Sequence, residues 1–246
     1  MSPVIVIPAR MASTRLPGKP LADIVGQPMI VRVWQQAMAA KLGPVIVAAA
    51  EREIADAVEK AGGIAVMTDP DLPSGSDRVF QALQKFDPDR KHDVVVNLQG
   101  DLPAIDPADI RAVAGVMAPT GADIGTLAAE IDDPADADNP NATKAVVTWD
   151  ITGERGRALY FTRARAPYGD GPLYVHIGIY AYRRDALERF VELAPSPLEK
   201  REKLEQLRAL EAGMSIAVAR VDSVPLSVDT PVDLEKARKI IAASKV

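Results

Sequence analysis

Cysteine is absent from the 246 residues, and histidine occurs only twice. Disulfide frameworks, cysteine-based zinc sites, thiol catalysis and histidine-rich metal centres are thereby excluded. No apolar run approaches the roughly 18 residues that a membrane-spanning helix requires. The amino terminus also lacks the basic region and long apolar segment that mark export, so a soluble cytoplasmic protein without a membrane partner is expected. Acidic residues outnumber basic ones, 34 to 29. A formal charge of -5 and a pI near 5.2 argue against a nucleic-acid partner, although a local basic loop can still bind a small anion. Two common phosphate-binding signatures are missing as well. Lys19 is followed by Pro20, where a Walker loop needs Ser or Thr. Gly169 and Gly171 form the one Gly-x-Gly, without the third glycine of a dinucleotide fingerprint, which makes a nicotinamide enzyme a poor fit.

What is present is enough apolar material, 48% of residues, to bury a substantial core. Short apolar runs at Val4–Ile7, Val45–Ala49, Ile64–Met67 and Val94–Leu98 alternate with segments of helical periodicity. Ile30, Val33, Trp34, Ala37 and Met38 form one such stripe behind Pro28, and Ile54, Ala57, Val58 and Ala61 form another. This alternation predicts an α/β fold, a Rossmann-like and mostly parallel sheet with helices on both faces. From about Thr120 to Tyr182 the pattern turns strand-like, at Ile124–Ala128, Ala145–Trp149 and Tyr174–Tyr182, which predicts a smaller mixed-sheet lobe within a single domain spanning 1–246. Helices are expected again around Asp185–Leu193 and Leu198–Ala212. A strand fits Ile216–Val221, and a last helix should open at Thr230-Pro231.

In open parallel sheets ligands gather beyond the carboxyl ends of the strands. Three such places carry chemistry. After Ile7 comes a loop bearing Arg10, Arg15 and Lys19 ahead of the first acidic residue, Asp23; with its backbone amides this loop could cradle a polyphosphate, the alternative being a solvated loop that is merely basic. Asp101 follows the apolar run Val94–Leu98 and Gly100, a rigid setting for a carboxylate that binds a hard divalent cation, or simply the start of a turn. Asp229 precedes Thr230-Pro231 and is open to the same two readings. Ser74-Gly75-Ser76-Asp77-Arg78 opens a helical pattern, suited either to an anion or nucleobase edge or to capping by Ser76. Asp69-Pro70-Asp71 is better explained as a turn than as a metal pair. Along Tyr174–Tyr182 the alternation places Tyr174, His176, Gly178, Tyr180 and Tyr182 on one face. Gly178 leaves room there for a hydroxyl-rich ligand, and a purely structural His176 is the alternative.

Taken together, these segments resemble the 3-deoxy-manno-octulosonate cytidylyltransferases over nearly the whole chain. The resemblance is carried by Ile7-Pro8-Ala9-Arg10 with Ser13 to Pro20, by Ser74 to Arg78, by Asn97-Leu98-Gln99-Gly100-Asp101 and by Tyr160-Phe161-Thr162-Arg163. It extends through His176 to Tyr180, Leu204 to Arg208 and Val228 to Pro231. It implies a nucleotide-diphospho-sugar transferase type of fold and transfer of CMP from CTP to the anomeric hydroxyl of 3-deoxy-D-manno-octulosonate (Kdo), releasing pyrophosphate for lipopolysaccharide synthesis. It further implies magnesium held by Asp101 and Asp229, catalysis by these acids with Lys19, and a homodimer. Arg10 and Arg15 would join Lys19 on the triphosphate, Ser74 and Gln99 would lie against the cytidine, and Arg78 would belong to the substrate-binding set. Arg163, His176, Tyr180, Glu205 and Gln206 would form the sugar-acid pocket. Two departures stand out. Leu102 replaces an acidic residue common after the aspartate, and Ala48-Ala49-Ala50 stands where Ala-Thr-Asp is common, which puts one polar contact to the nucleotide in doubt. The nearest rival is a cytidylyltransferase for another acidic sugar, such as a sialic acid or an amino-Kdo. A non-catalytic nucleotide-sensing domain is the alternative from a different class.

Overall fold

The computed structural model describes residues 1–243, which divide into two compact units. Met1–Arg111 and the carboxyl-terminal segment from Pro225 make the first. It opens with β1 (Pro3–Ala9), a 3-10 turn at Lys19–Leu21, and a two-stranded sheet of β2 (Asp23–Ile24) and β3 (Gln27–Pro28). There follow α1 (Met29–Ala39), β4 (Val45–Ala49), α2 (Arg52–Lys60), β5 (Ile64–Met67), α3 (Gly75–Phe86), β6 (Val94–Asn97) and α4 (Pro107–Gly115). Four of these strands pair in parallel, in the order β5-β4-β1-β6. Val4 to Ile7 and Val45 to Ala49 are buried throughout, as expected for strands covered on both faces. The apolar runs locate these strands to within a residue or two at each end. Pro28 stands immediately before α1 rather than in its first turn.

The second unit, Ala112–Val224, contains α5 (Met117–Thr120), β7 (Ile124–Glu130), α6 (Pro134–Asp138), β8 (Lys144–Trp149), β9 (Arg155–Thr162) and β10 (Tyr174–Arg183). After them come α7 (Arg184–Glu192), α8 (Pro197–Glu202), α9 (Gln206–Glu211) and β11 (Ile216–Val221). Strand β7 pairs antiparallel with β10 and parallel with β11. β9 lies antiparallel to both β11 and β8, and β8 reaches β10 through the Lys144–Val175 pair. The strand order β10-β7-β11-β9-β8 is the mixed sheet that the strand-rich stretch forecast.

Two local readings are corrected. β9 escapes a periodicity search because Arg155, Arg157 and Gly156 interrupt its apolar pattern. The helix expected over Leu198–Ala212 is two helices, α8 and α9, broken at Lys203, whose φ of 57° and ψ of 46° are left-handed.

The last helix, α10 (Pro231–Ala243), begins where Thr230-Pro231 indicated. Leu234, Ala237 and Ile241 pack with Val228, Ile24 and Met29 in a buried cluster that Leu16 and Ala104 extend. This cluster anchors the chain around Asp229 to the base of the amino-terminal loop. Among the described residues no helix is long and apolar enough to cross a membrane.

Gly100 marks a tight fit beside the carboxyl ends of β1 and β6. A Cβ there would stand 2.9 Å from the Pro8 carbonyl oxygen, a backbone atom that cannot swing away. Gly100→Ala should therefore destabilise folding by about 2 kcal/mol through overpacking, read as a lowered urea midpoint with an unchanged m-value. An unshifted midpoint would show that β1 and β6 have slack at this end.

Candidate functional site

The loop after β1 runs from the buried sheet into a cavity of about 410 Å³, lined by Arg10, Arg15, Lys19, Ser74, Gln99 and Asp101 among others. Gly18, at φ 68°, turns the chain so that Lys19 begins the 3-10 turn pointing back inward. Lys19 Nζ then donates to Asp101 Oδ2 at 2.9 Å and to Asp229 Oδ1 at 3.0 Å. Burial works against the ammonium, but the attraction and hydrogen bonds of Asp101 and Asp229 outweigh it, so the Lys19 pKa is raised. Arg15 reaches Asp229 Oδ1 at 3.2 Å from an exposed position.

The two acids, far apart in sequence, converge for a backbone reason. Val228 N–H donates to the Asp101 carbonyl at 2.9 Å, while Leu98 N–H donates to the Val6 carbonyl at 3.1 Å and continues the β1–β6 ladder one step past β6. The Asp229 segment is also fixed from its far side, where Asp233 Oδ2 accepts from Thr230 N and Thr230 Oγ1 at 3.0 and 2.7 Å. These bonds hold the Asp233 carboxyl below its ordinary range against the opposing effect of burial.

Two carboxylates sharing one ammonium form a pocket of hard oxygen donors already occupied by a cation. Among the described residues no group of three acidic, histidine or cysteine side chains comes together. Were a divalent cation to enter, Asp101 and Asp229 would be the two anionic ligands that these residues could offer it. That pair suits magnesium, which is usually held by one or two carboxylates together with substrate phosphates.

Ser74, not Ser76, caps α3. Its Oγ accepts from Asp77 N at 3.2 Å and donates to Asp77 Oδ2 at 2.7 Å, whereas Ser76 is buried inside the helix. Gln99 Nε2 donates to Asn97 Oδ1 at 2.9 Å, which orients its amide. Arg78 is only 2% exposed. Its guanidinium donates to Thr68 Oγ1, the Asp69 carbonyl and the Pro70 carbonyl at 2.6, 2.9 and 3.2 Å, so it clamps the 68–70 turn from beneath the cavity. Burial, and then the nearby charge of Arg10, lower its pKa. Asp71 N–H donates to Asp69 Oδ1 at 2.9 Å, the turn anticipated for this segment.

The residue that sequence reasoning missed here is Glu51. Its Oε2 accepts from Met11 N–H at 2.9 Å and ties down the start of the basic loop. It follows Ala48-Ala49-Ala50, where all three residues are buried and Ala50 N–H extends the pairing to the Ala9 carbonyl. No periodicity or motif distinguishes Glu51 from an ordinary helix-start acid. Leu102, the other departure, is buried, which accounts for an apolar residue at that position.

The remaining candidates belong to the second unit. The pairing of β10 with β7 skips Gly178 and Ile179: Ile177 faces Leu127 and Tyr180 faces Thr126. Because two residues are inserted rather than one, the alternation survives and His176 and Tyr180 stay on one face. Their rings are 5.5 Å apart, with Phe161 4.8 Å from His176 on its edge. A Cβ at Gly178 would meet nothing within 4 Å, so the open space expected there exists. Desolvation lowers the His176 pKa to about 3, and burial followed by the charge of Glu205 raises that of Tyr180. Both rings are neutral over the ordinary pH range. The Gln206 Nε2, in the same unit, is buried and makes no hydrogen bond among the described residues.

Arg163 is anchored more heavily than expected for a ligand-binding arginine. Nε donates to the Glu202 carbonyl at 2.7 Å, Nη1 to the Pro140 carbonyl at 2.9 Å and Nη2 to the Lys203 carbonyl at 3.3 Å. It clasps the 139–141 turn to the left-handed break between α8 and α9, and one N–H on each terminal nitrogen is left for other partners. Lys144 Nζ supports the same turn from within the sheet by donating to the Asn139 carbonyl at 2.8 Å.

The cytidylyltransferase family model matches residues 4–216. The chain is 66% identical to the 3-deoxy-manno-octulosonate cytidylyltransferase of Parvibaculum lavamentivorans over 99% of its own length and 94% of the relative's. The chain belongs to the 3-deoxy-manno-octulosonate cytidylyltransferase family. Identity to its member from Paramagnetospirillum magneticum is 59%, over 99% of both chains. A solved structure of CMP:2-keto-3-deoxy-manno-octonic acid synthetase complexed with CTP matches with a TM-score of 0.91 at 40% identity, covering 99% of this chain and all of the other. A nucleotidyl transferase from Methanothermobacter shares the fold at a TM-score of 0.62 and 17% identity. The α/β fold with helices around a central sheet and a second small sheet is thus the fold of this family.

The low pKa of His176 has a consequence for stability. Between pH 6.5 and about 3 the unfolded chain binds a proton at this ring and the folded chain does not, so stability falls as pH drops through that window. The wild-type unfolding free energy should lose up to about 1.4 kcal/mol per pH unit below 6.5 that a His176→Asn variant does not lose. Parallel pH profiles from urea titrations would mean that His176 protonates in the folded protein.

Proposed function

We propose that the protein transfers CMP from CTP to the anomeric hydroxyl of Kdo, giving CMP-Kdo and pyrophosphate. Kdo is an acidic sugar of lipopolysaccharide, which makes that pathway and a cytoplasmic setting the natural context. The observation that carries this reading is the meeting of Asp101 and Asp229 on Lys19 beside the basic loop, in a chain whose relatives bear the name of this activity.

The chemistry needs no covalent nucleophile. A hydroxyl attacks the α-phosphorus as the bond to the pyrophosphate oxygen breaks, and the enzyme must orient both groups and neutralise charge. Arg10, Arg15 and Lys19 are assigned to the triphosphate, Ser74 and Gln99 to the cytidine, and Arg78 to the support of that wall. Asp101 and Asp229 would hold magnesium, which when bound supplies the positive charge that two carboxylates and a phosphate chain demand. Lys19, already bound to both acids, keeps them in place before the nucleotide arrives. In the second unit His176, Tyr180, Glu205 and Gln206 are assigned to the sugar acid, with Arg163 at its carboxylate through its remaining N–H groups. The whole chain would then act as one nucleotidyltransferase domain, with the stretch from about 120 to 182 as its lobe, and as a homodimer.

The decisive experiment is pyrophosphate release with a panel of nucleotides and acidic sugars, with and without magnesium. Release that requires CTP, Kdo and the metal is expected. Preference for a sialic acid or an amino-Kdo would move the assignment to another acidic sugar, and no release with any pair would refute catalysis. Asp101→Asn should reduce turnover on the order of a hundredfold or more with little change in CTP affinity, since a lost metal ligand acts chiefly in the transition state. Equal losses in both would place its role in nucleotide binding. Arg163→Ala should raise the KM for Kdo and leave that for CTP unchanged; an unaltered KM for Kdo would restrict Arg163 to its structural clasp.

A further inference from the structure

Thr126, on β7, was not singled out by any sequence signal, yet it is the fully buried hydroxyl at the centre of the β10 irregularity. Its Oγ1 is 2.9 Å from His176 Nε2, 2.9 Å from the Ile179 carbonyl and 3.3 Å from the Ile177 carbonyl. A hydroxyl has one proton to give. The two carbonyls can only accept, and they belong to the stretch where the skipped Gly178 and Ile179 interrupt the ladder. Giving the proton to Ile179 satisfies a buried carbonyl and leaves the oxygen lone pairs facing the imidazole. The opposite arrangement would set lone pairs of Oγ1 against two carbonyl oxygens, a costly placement in a buried site. Nε2 must then carry the hydrogen, and a neutral ring that bears it there has a bare Nδ1. Nδ1 makes no hydrogen bond among the described residues, and His176, its ring packed on Phe161 and Tyr180, is as a residue only partly buried.

We propose that Thr126 is a positioning residue that fixes His176 as the Nε2–H tautomer, so that Nδ1 presents an acceptor and selects a hydroxyl of the sugar rather than its carboxylate. The ligand half of this statement rests on the assignment of Kdo above. The tautomer half does not, because it concerns the free protein. A carboxylate opposite Nδ1 would meet lone pair with lone pair, whereas a sugar hydroxyl completes a chain running from ligand through imidazole and threonine to the Ile179 carbonyl.

The test is a long-range proton–nitrogen correlation spectrum of the full-length protein with labelled histidine. His92→Gln assigns the two rings, since the chain has only two histidines. His176 should show a protonated, pyrrole-like Nε2 and an unprotonated, pyridine-like Nδ1 in the wild type and in Thr126→Ser. In Thr126→Val, which keeps the shape and removes the hydroxyl, the signals should move toward a mixture of tautomers. The KM for Kdo should rise about tenfold in Thr126→Val, return to within about twofold of wild type in Thr126→Ser, and leave kcat and the KM for CTP nearly constant. A wild-type His176 protonated on Nδ1 overturns the proposal, and that reading stands even if the valine variant fails to fold. So does a valine variant with unchanged spectrum and KM. If Kdo proves not to be a substrate while the spectra behave as described, the positioning role holds and only the identity of the hydroxyl ligand falls.

Discussion

The bond from Val228 N–H to the Asp101 carbonyl is the constraint on which the cavity beside the basic loop depends. It stitches a segment near the carboxyl end of the chain to the residue just beyond β6. The buried cluster of Ile24, Met29, Val228, Leu234, Ala237 and Ile241 keeps that stitch out of water. Two carboxylates so placed would repel each other if nothing stood between them, and the Lys19 ammonium relieves this with short bonds to both. The three charged groups are thereby fixed against one another by the fold itself, without any ligand.

The cavity is held in shape by groups whose bonds run to the backbone around it. Arg78 spends its guanidinium on the 68–70 turn, Glu51 holds the Met11 amide, and Gly100 lets the strand ends approach to within backbone contact. The second unit follows the same logic with neutral groups. A two-residue insertion in β10 preserves the facing of His176 and Tyr180, and the buried hydroxyl of Thr126 satisfies the backbone that the insertion disturbs. Desolvation then holds both rings in their neutral forms, so these two side chains offer hydrogen bonds and no charge.

Where the sequence could be read, a local physical signal existed. The strands Val45–Ala49 and Ile64–Met67 are short apolar runs between amphipathic segments, and Thr230-Pro231 is a cap followed by a residue preorganised for a first helical turn. β9 was missed because arginines and a glycine dilute its pattern, and the α8–α9 break was missed because a lysine at positive φ leaves no compositional trace. The cap of α3 is Ser74 and not the expected Ser76, because two serines two residues apart offer the same chemistry and only the helix start distinguishes them. Glu51 and Thr126 were invisible, since each matters only through a partner brought near by folding.

The sequence alone determined the inventory: a basic loop after the first strand, acids at two strand or helix boundaries, an aromatic face on β10, and the family to which those segments belong. These are properties of residue type and spacing along one dimension. The tertiary structure decided which of them meet, because the approach of Asp229 to Asp101, the commitment of Arg78 and Arg163 to carbonyls, and the tautomer of His176 all depend on hydrogen bonds between distant segments. No local propensity encodes such bonds, since each becomes favourable only after burial has removed the water that would otherwise satisfy both partners.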